Sequence, residues 1–365
     1  MIYFLAHSDW ILYNSRKEIA THLNELDYSV NAITTEEAHK EDLKKYFNNF
    51  YKWNVDRNKL IDLKGIINLR KILKQLTEND ILHIYTLKSG LYVLFASHFM
   101  KKKYRVVLSI TGLGYLFSKN NGSKVLRNIL RFYMKYFFNR NIDVLIFQNH
   151  KDEKVLKNYL NYKNQTFLIK GSGLNLPSFS LKNYEDSRDK EIKIIMCCRL
   201  LKDKGIDEYF KLTQLFDNNQ YKFYLAGNVD PGNPSSYSHG DIVNLTRKFN
   251  IEYLGWINTT KELKNFDISV CMSYHEGLPR IVLESLYIGL YTISNNLPGL
   301  RNIFDEHDNG ILIRENNLLE FHNAITNFVE IENITNKIQY SRQKVTDNFS
   351  TETIVEEFIK VYKIL

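Results

Sequence analysis

Two carboxylates frame the segment of this chain with the densest chemistry, Tyr274-His275-Glu276-Gly277-Leu278-Pro279-Arg280-Ile281-Val282-Leu283-Glu284. An apolar run at 267–272 leads into it, so Glu276 falls at the tip of a loop that follows a strand. Pro279 suits the first turn of a helix, where its missing N–H has no partner to lose. Gly277 lets the backbone approach a ligand, and the free N–H groups of that turn can hold an anion. Glu284 then stands among Ile281, Val282, Leu283, Leu286 and Ile288. A carboxylate in such a helix is costly without a partner, so it is expected to bond hydroxyls or a cation. Two acids at this spacing alone would read as a capped core helix; the strand–loop–helix setting favours a site.

Other candidate groups sit at the ends of apolar runs. Arg199 and Lys204, in Arg199-Leu200-Leu201-Lys202-Asp203-Lys204-Gly205, flank a loop that opens a helix. A planar guanidinium and a compact ammonium beside a helix N-terminus can clamp a diphosphate. Gly227 and Asn228 end another run and begin the turn-rich loop 229–236. Trp256 follows Leu254-Gly255, with core packing and ligand contact both open to it. Thr111 and Gly112 end a run in Ile110-Thr111-Gly112-Leu113-Gly114-Tyr115, which lacks the G-x-G-x-x-G spacing of a dinucleotide fingerprint. His7 and His83 read as structural.

These loops need strands to hold them. Apolar runs at 2–6, 29–33, 81–85, 105–110, 144–147 and 166–169 alternate with periodic segments such as 15–26, 66–76 and 152–160. A second series of runs lies at 192–196, 223–226, 252–254, 268–272, 291–294 and 310–313. Such alternation predicts α/β layers around parallel sheets. Between the series, Lys170-Gly171-Ser172-Gly173-Leu174-Asn175-Leu176-Pro177 and a polar stretch to Lys190 mark a boundary. Two Rossmann-like halves follow, with ligands expected at the C-terminal ends of strands.

At 365 residues the chain is long for one core and comfortable for two domains. Its three cysteines, Cys197, Cys198 and Cys271, form no disulfide framework and no zinc spacing, which fits a reduced, cytosolic setting. The start of the chain reads as a strand rather than a signal peptide, and no run is long and apolar enough for a membrane span. The net charge of +8 is uneven: between Ile81 and Ile142 there is no Asp or Glu. Within that stretch, 125–138 reads as a basic amphipathic helix with Arg127, Arg131 and Lys135 at every fourth position. The basic region 101–140 is therefore expected to meet an anionic membrane surface rather than nucleic acid, for which no recognition motif accompanies the charge.

The segment from Glu276 to Glu284 resembles the E-x7-E signature of retaining GT-B glycosyltransferases of the family-4 type, and the Arg199/Lys204 loop resembles their G-R-L-x-x-x-K-G segment. Cys198 stands where that family has a small residue. The T-G-L-G loop and Asp230-Pro231-Gly232-Asn233-Pro234 with Leu254-Gly255-Trp256 are similar to a bacterial surface-polysaccharide subgroup, the polyprenyl-diphosphate-sugar N-acetylhexosaminyltransferases. The resemblance implies an α/β GT-B fold, two Rossmann-like domains facing each other across a cleft. Residues 1–175 would be the acceptor-side domain, 176–190 a linker, 191–350 the nucleotide-sugar domain, and 351–365 a helix able to cross back. It implies Glu276, Arg199 and Lys204 in catalysis, and Glu284, Gly277, Leu278, Pro279, Gly227, Asn228 and Trp256 around the donor. Asn14, Arg16, Thr111 and Gly112 would face the acceptor. The implied reaction moves N-acetylhexosamine from a UDP-sugar to a lipid-linked saccharide for O-antigen, capsule or a related polysaccharide. Retention, no metal and no cofactor are expected, with the enzyme peripheral on the inner face of the cell membrane. Other donors (UDP-hexose, GDP-mannose), a UDP-sugar epimerase, and a nucleic-acid-binding protein using the basic patch stay open as alternatives.

Overall fold

Alternate residues of the first strand, β1 (Ile2–Leu5), face opposite ways: Ile2 and Phe4 join one buried cluster, Tyr3 and Leu5 another. A strand apolar on both faces belongs inside a parallel sheet covered by helices on each side. The computed structural model describes residues 1–365 except 57, 58, 60, 99, 114–123, 184–190, 217–219, 231, 232, 234, 275, 302, 315 and 316, and except the side chains of 124–127. The chain divides into two units, Met1–Gly173 with Thr351–Leu365, and Leu174–Ser350.

The first unit holds β1 with β2 (Val30–Thr34), β3 (Phe50–Lys52), β4 (Ile81–Tyr85), β5 (Arg105–Ile110), β6 (Val144–Phe147) and β7 (Gln165–Leu168). They form a seven-stranded parallel sheet in the order β3-β2-β1-β4-β5-β6-β7. Strand order reverses between β1 and β4. The second unit holds β8 (Ile192–Cys197), β9 (Tyr221–Ala226), β10 (Glu252–Gly255), β11 (Ile268–Cys271), β12 (Tyr291–Asn295) and β13 (Gly310–Ile313). Its six strands run β10-β9-β8-β11-β12-β13, also parallel, and reverse between β8 and β11.

Some elements depart from the sequence pattern. β3 is absent from the expected strands; its three residues Phe50, Tyr51 and Lys52 are too few to alternate, and pairing with β2 defines it. The helix expected over 15–26 forms as Lys17–Glu25, and a further helix that was not expected, Asp9–Ser15, precedes it, the two separated at Arg16 (φ −134°, ψ −12°). Arg16 is only 2% exposed, and its guanidinium lies 4.3 Å above the Tyr85 ring. Where a linker is expected from 176, Leu176 and Phe179 are buried in the second unit's core; 184–190 lie outside the described residues.

The last helix, Thr351–Lys363, lays Ile354, Val355, Phe358, Val361 and Tyr362 against the first unit's sheet, beside Ile2, Phe4 and Ile19. It also closes a polar contact. Tyr362 Oη is 2.6 Å from Nδ1 of the fully buried His83, and Ser109 Oγ is 2.7 Å from its Nε2. Burial first, and then the nearby Arg16 charge, hold the His83 pKa well below the ordinary histidine value. His83 is therefore a neutral core residue. Unfolding frees it to titrate near pH 6.5, so the unfolded state binds the extra proton and stability falls as pH drops below that value. Acid sensitivity should lessen in His83→Gln, by at most about 1.4 kcal/mol per pH unit. Urea unfolding of both proteins between pH 5 and 8 measures it; parallel pH profiles would remove His83 from this role.

Candidate functional site

The loops that follow β8 and β11 leave the sheet side by side, where strand order reverses and a parallel sheet opens a crevice. After β8, Arg199 is half exposed and reaches Asp230, Nη1 to Oδ2 3.6 Å. A short 3-10 turn, Lys202–Lys204, then brings the chain to the helix Ile206–Thr213. Lys204 is turned inward, its side chain 7% exposed. The Tyr274 N–H donates to the Asp203 carbonyl at 3.0 Å, tying the two loops together.

Lys204 Nζ lies 2.5 Å from Oε1 of Glu276 and 3.5 Å from Oδ2 of Asp203. Burial works against the ammonium charge, but Glu276 and Asp203 outweigh it, and the Lys204 pKa stands above the ordinary lysine value. Lys204 is therefore a cation at neutral pH, held in the floor of the site by a carboxylate from the neighbouring loop. Cys198, just before Arg199, is no nucleophile: burial, followed by the neighbouring Cys197, pushes its thiol well above the usual range.

The chain beyond Glu276 passes through buried Gly277, half-buried Leu278 and buried Pro279 into the helix Arg280–Ile288. Pro279 is the N-cap residue rather than the first helical one, and no side chain caps this helix. Its first N–H groups thus keep their capacity for an anion. Glu284 is 5% exposed and takes its charge partner from its own helix: Arg280 Nε donates to Oε1 at 2.7 Å. Its charge is also felt at the end of β8, where burial and then Glu284 raise the Cys197 thiol to about 12.

Close backbone approaches fix the remaining loops. Gly227, after β9, has φ +138°, and a Cβ there would lie 1.8 Å from the Cys198 carbonyl oxygen. The Leu200 N–H donates to the Asn228 carbonyl at 3.0 Å, while the Asn228 side chain is exposed. Two contributors escape sequence reasoning. Buried Asn295, at the end of β12, donates through Nδ2 to the carbonyls of Met272 (2.8 Å) and Ser273 (3.1 Å). Gly299 lies so close that a Cβ would stand 1.6 Å from the Gly277 oxygen. Their one sequence signal is the polar, turn-forming stretch Asn295-Asn296-Leu297-Pro298-Gly299 after a strand.

The second unit thus gathers Arg199, Lys204, Gly227, Asn228, Glu276, Gly277, Leu278, Pro279 and Glu284 on loops from β8, β9 and β11. Trp256 follows the edge strand β10 and is 61% exposed, so core packing does not account for it. In the first unit, Asn14 is exposed on the helix Asp9–Ser15, whereas Arg16 is buried beneath it over Tyr85. Thr111 and Gly112 follow β5, with open space where a Gly112 Cβ would point. His7 Nδ1 is 3.1 Å from Ser89 Oγ and 3.2 Å from Thr86 Oγ1. Gly114, Tyr115, His275, Pro231, Gly232 and Pro234 lie outside the described residues.

Known proteins share this layout. Residues 179–345 match the family model of glycosyl transferases group 1, and residues 1–149 that of glycosyl transferase 4-like proteins. The N,N'-diacetylbacillosaminyl-diphospho-undecaprenol alpha-1,3-N-acetylgalactosaminyltransferase of Campylobacter jejuni is 24% identical, over 98% of this chain and 97% of its own. The UDP-Gal:alpha-D-GlcNAc-diphosphoundecaprenol alpha-1,3-galactosyltransferase of Escherichia coli is 23% identical, over 82% and 79%. Among solved structures, sucrose-phosphate synthase from Thermosynechococcus elongatus superposes with a TM-score of 0.78 at 16% identity, covering 99% of this chain and 98% of that one. Anabaena HepE in complex with UDP-glucose gives 0.77 at 14% identity, covering 100% and 99%. These structural likenesses establish the GT-B fold.

The Gly227 contact can be tested without any ligand. Gly227→Ala should cost more than about 2 kcal/mol, because positive φ and a backbone clash coincide there. Gly255→Ala is the control: its φ is +66° with nothing within 4 Å of a Cβ, so left-handed strain alone should cost about 1 kcal/mol. Equal losses in urea unfolding would mean that the Cys198 approach adds nothing.

Proposed function

Residues 179–345 form a group 1 glycosyltransferase domain and residues 1–149 a glycosyl transferase 4-like one, and from that premise we propose that the chain moves N-acetylhexosamine from a UDP-sugar to a polyprenyl-diphosphate-linked saccharide, with retention and without a metal. The observation that carries this reading is the pair of buried Lys204 with part-buried Glu276, 2.5 Å apart beside an uncapped helix N-terminus. The bond from the anomeric carbon to the diphosphate oxygen breaks, and the departing nucleoside diphosphate takes the electron pair. Lys204, Arg199 and the N–H groups before Ile281 stabilise that charge, the largest electrostatic contribution expected in such a reaction. An acceptor hydroxyl bonds the same carbon from the same face, and its proton passes to a leaving diphosphate oxygen. Glu276 holds hydroxyls of the donor sugar and Glu284 those of the ribose, so the two carboxylates are binding groups and not an acid/base pair. The names of the two relatives, both with diphosphoundecaprenol-linked substrates, support the acceptor class.

The acceptor's lipid points to a membrane surface. The helix Lys124–Asn141 packs Leu130, Met134 and Phe138 inward and leaves Ile129, Phe132 and Tyr136 more than half exposed. Lys135 and Arg140 are exposed on the same helix, while Lys102 is not part of the open field because it pairs with Asp143 at 2.6 Å. A basic helix with an apolar outer stripe favours an anionic lipid surface over nucleic acid. No helix among the described residues is long and apolar enough to cross a membrane. The enzyme would then be peripheral.

Transfer is measured by mass spectrometry of a polyprenyl-diphosphate saccharide incubated with UDP-N-acetylhexosamine. Lys204→Met should lower kcat/KM by about 10²–10³-fold, and EDTA should change nothing. Epimerisation of the donor without acceptor would overturn the transferase assignment, and loss of activity in EDTA that Mg²⁺ restores would overturn metal independence. Phe132→Asp with Tyr136→Asp should reduce sedimentation with anionic vesicles by about ten-fold or more. Unchanged sedimentation would remove this helix from membrane contact.

A further inference from the structure

Arg280 occupies a position that electrostatics disfavours. It is the first residue of the helix Arg280–Ile288, the positive end of the helix dipole, and no acidic side chain stands in that turn. Such a cation is tolerable where a strong local anion holds it, and the anion here is buried Glu284, one turn further on. The bridge is 2.7 Å long, between side chains 25% and 6% exposed. A guanidinium is planar with donors at fixed angles, so engaging Glu284 through Nε restrains the carboxylate's orientation as well as its charge. Among the described residues Glu284 Oε1 takes this bond and Oε2 takes none. Oε2 is not sealed off either, since it is absent from the fully enclosed unpartnered polar atoms. One oxygen is occupied and the other presented.

We propose that Arg280 is a positioning residue for the nucleotide: it holds Oε1 of Glu284 so that Oε2 is offered to a ribose hydroxyl, and it thereby sets the preference for ribonucleotides. The proposal rests on the nucleotide-sugar reading above and adds a residue that the two-carboxylate pattern does not contain. Arg280 acts through Glu284 and not on the reacting bond. Its loss therefore raises KM for the donor and leaves kcat within about three-fold, the pattern of lost uniform binding.

Calorimetry with UDP, GDP and their 2′,3′-dideoxy counterparts tests it. The wild-type protein should prefer the ribonucleotide by about ten-fold or more, the effect of one charge-assisted hydrogen bond. Arg280→Gln should reduce that preference to about three-fold or less while binding of the dideoxy nucleotide barely changes. Glu284→Gln should do the same, and the double variant should add little, because the two residues work as one unit. Equal weakening of both nucleotides in Arg280→Gln, or an intact ribose preference, overturns the proposal. If Arg280→Gln melts early, Arg280→Lys supplies the reading: it keeps a cation without the planar fork, and an unaltered preference would likewise overturn the role. A wild-type protein that binds neither nucleoside diphosphate removes the nucleotide reading itself and this proposal with it. One that binds them without regard to the ribose hydroxyls removes this proposal alone.

Discussion

A parallel sheet whose strand order reverses sends the loops after its two central strands in opposite directions, and the opening between them is where a ligand can reach backbone and side chains together. In the second unit that opening lies between β8 and β11. Lys204 comes from one side and Glu276 from the other, and their contact is the closest charge pair among the described residues of the site. The surrounding loops are arranged to keep it. Tyr274 is tied to Asp203, Asn295 braces the carbonyls of Met272 and Ser273, and the approaches at Gly227 and Gly299 leave no room for a Cβ. The site is built largely from backbone brought unusually close.

The electrostatic design follows from that closeness. Lys204 would lose its proton more readily if it were merely buried; Glu276 and Asp203 reverse the effect, so the ammonium persists with little water around it. In low-dielectric surroundings such a fixed charge interacts more strongly with a developing anion than it would in water. The uncapped end of Arg280–Ile288 adds backbone donors in the same loop system. The adjacent thiols are kept neutral by burial and contribute packing.

Much of this is legible in the sequence. Runs of apolar residues bounded by Gly, Asn and Asp located the strands because a strand buried on both faces needs apolar residues at successive positions. β3 was not legible, since three residues on a sheet edge carry no period and only pairing with β2 makes them a strand. Nor was the helix Asp9–Ser15, only seven residues long and ending at Arg16, whose side chain is drawn inward over the Tyr85 ring. The acids at 276 and 284 were legible as a pair, but the partner of Glu276 was not. Lys204 is seventy-two positions from Glu276, a meeting that only the sheet brings about, whereas Arg280 stands four positions before Glu284, the spacing at which a helix pairs side chains.

By itself, the sequence determined the α/β class, the two strand series and the strand-end positions of the charged and glycine-bearing loops, because these depend on local hydrophobic pattern and turn chemistry. It also carried the resemblance to glycosyltransferases, through the residues from Arg199 to Glu284, that the domain matches support. Only the tertiary structure decided which loops meet, since a parallel sheet makes neighbours of strands far apart in the chain, as β8 and β11 are. It alone decided that Lys204 is buried and still charged, that His83 is a neutral core residue under the last helix, and that Trp256 is exposed. Burial and charge pairing are properties of what surrounds a side chain, and those surroundings come together only when the chain folds.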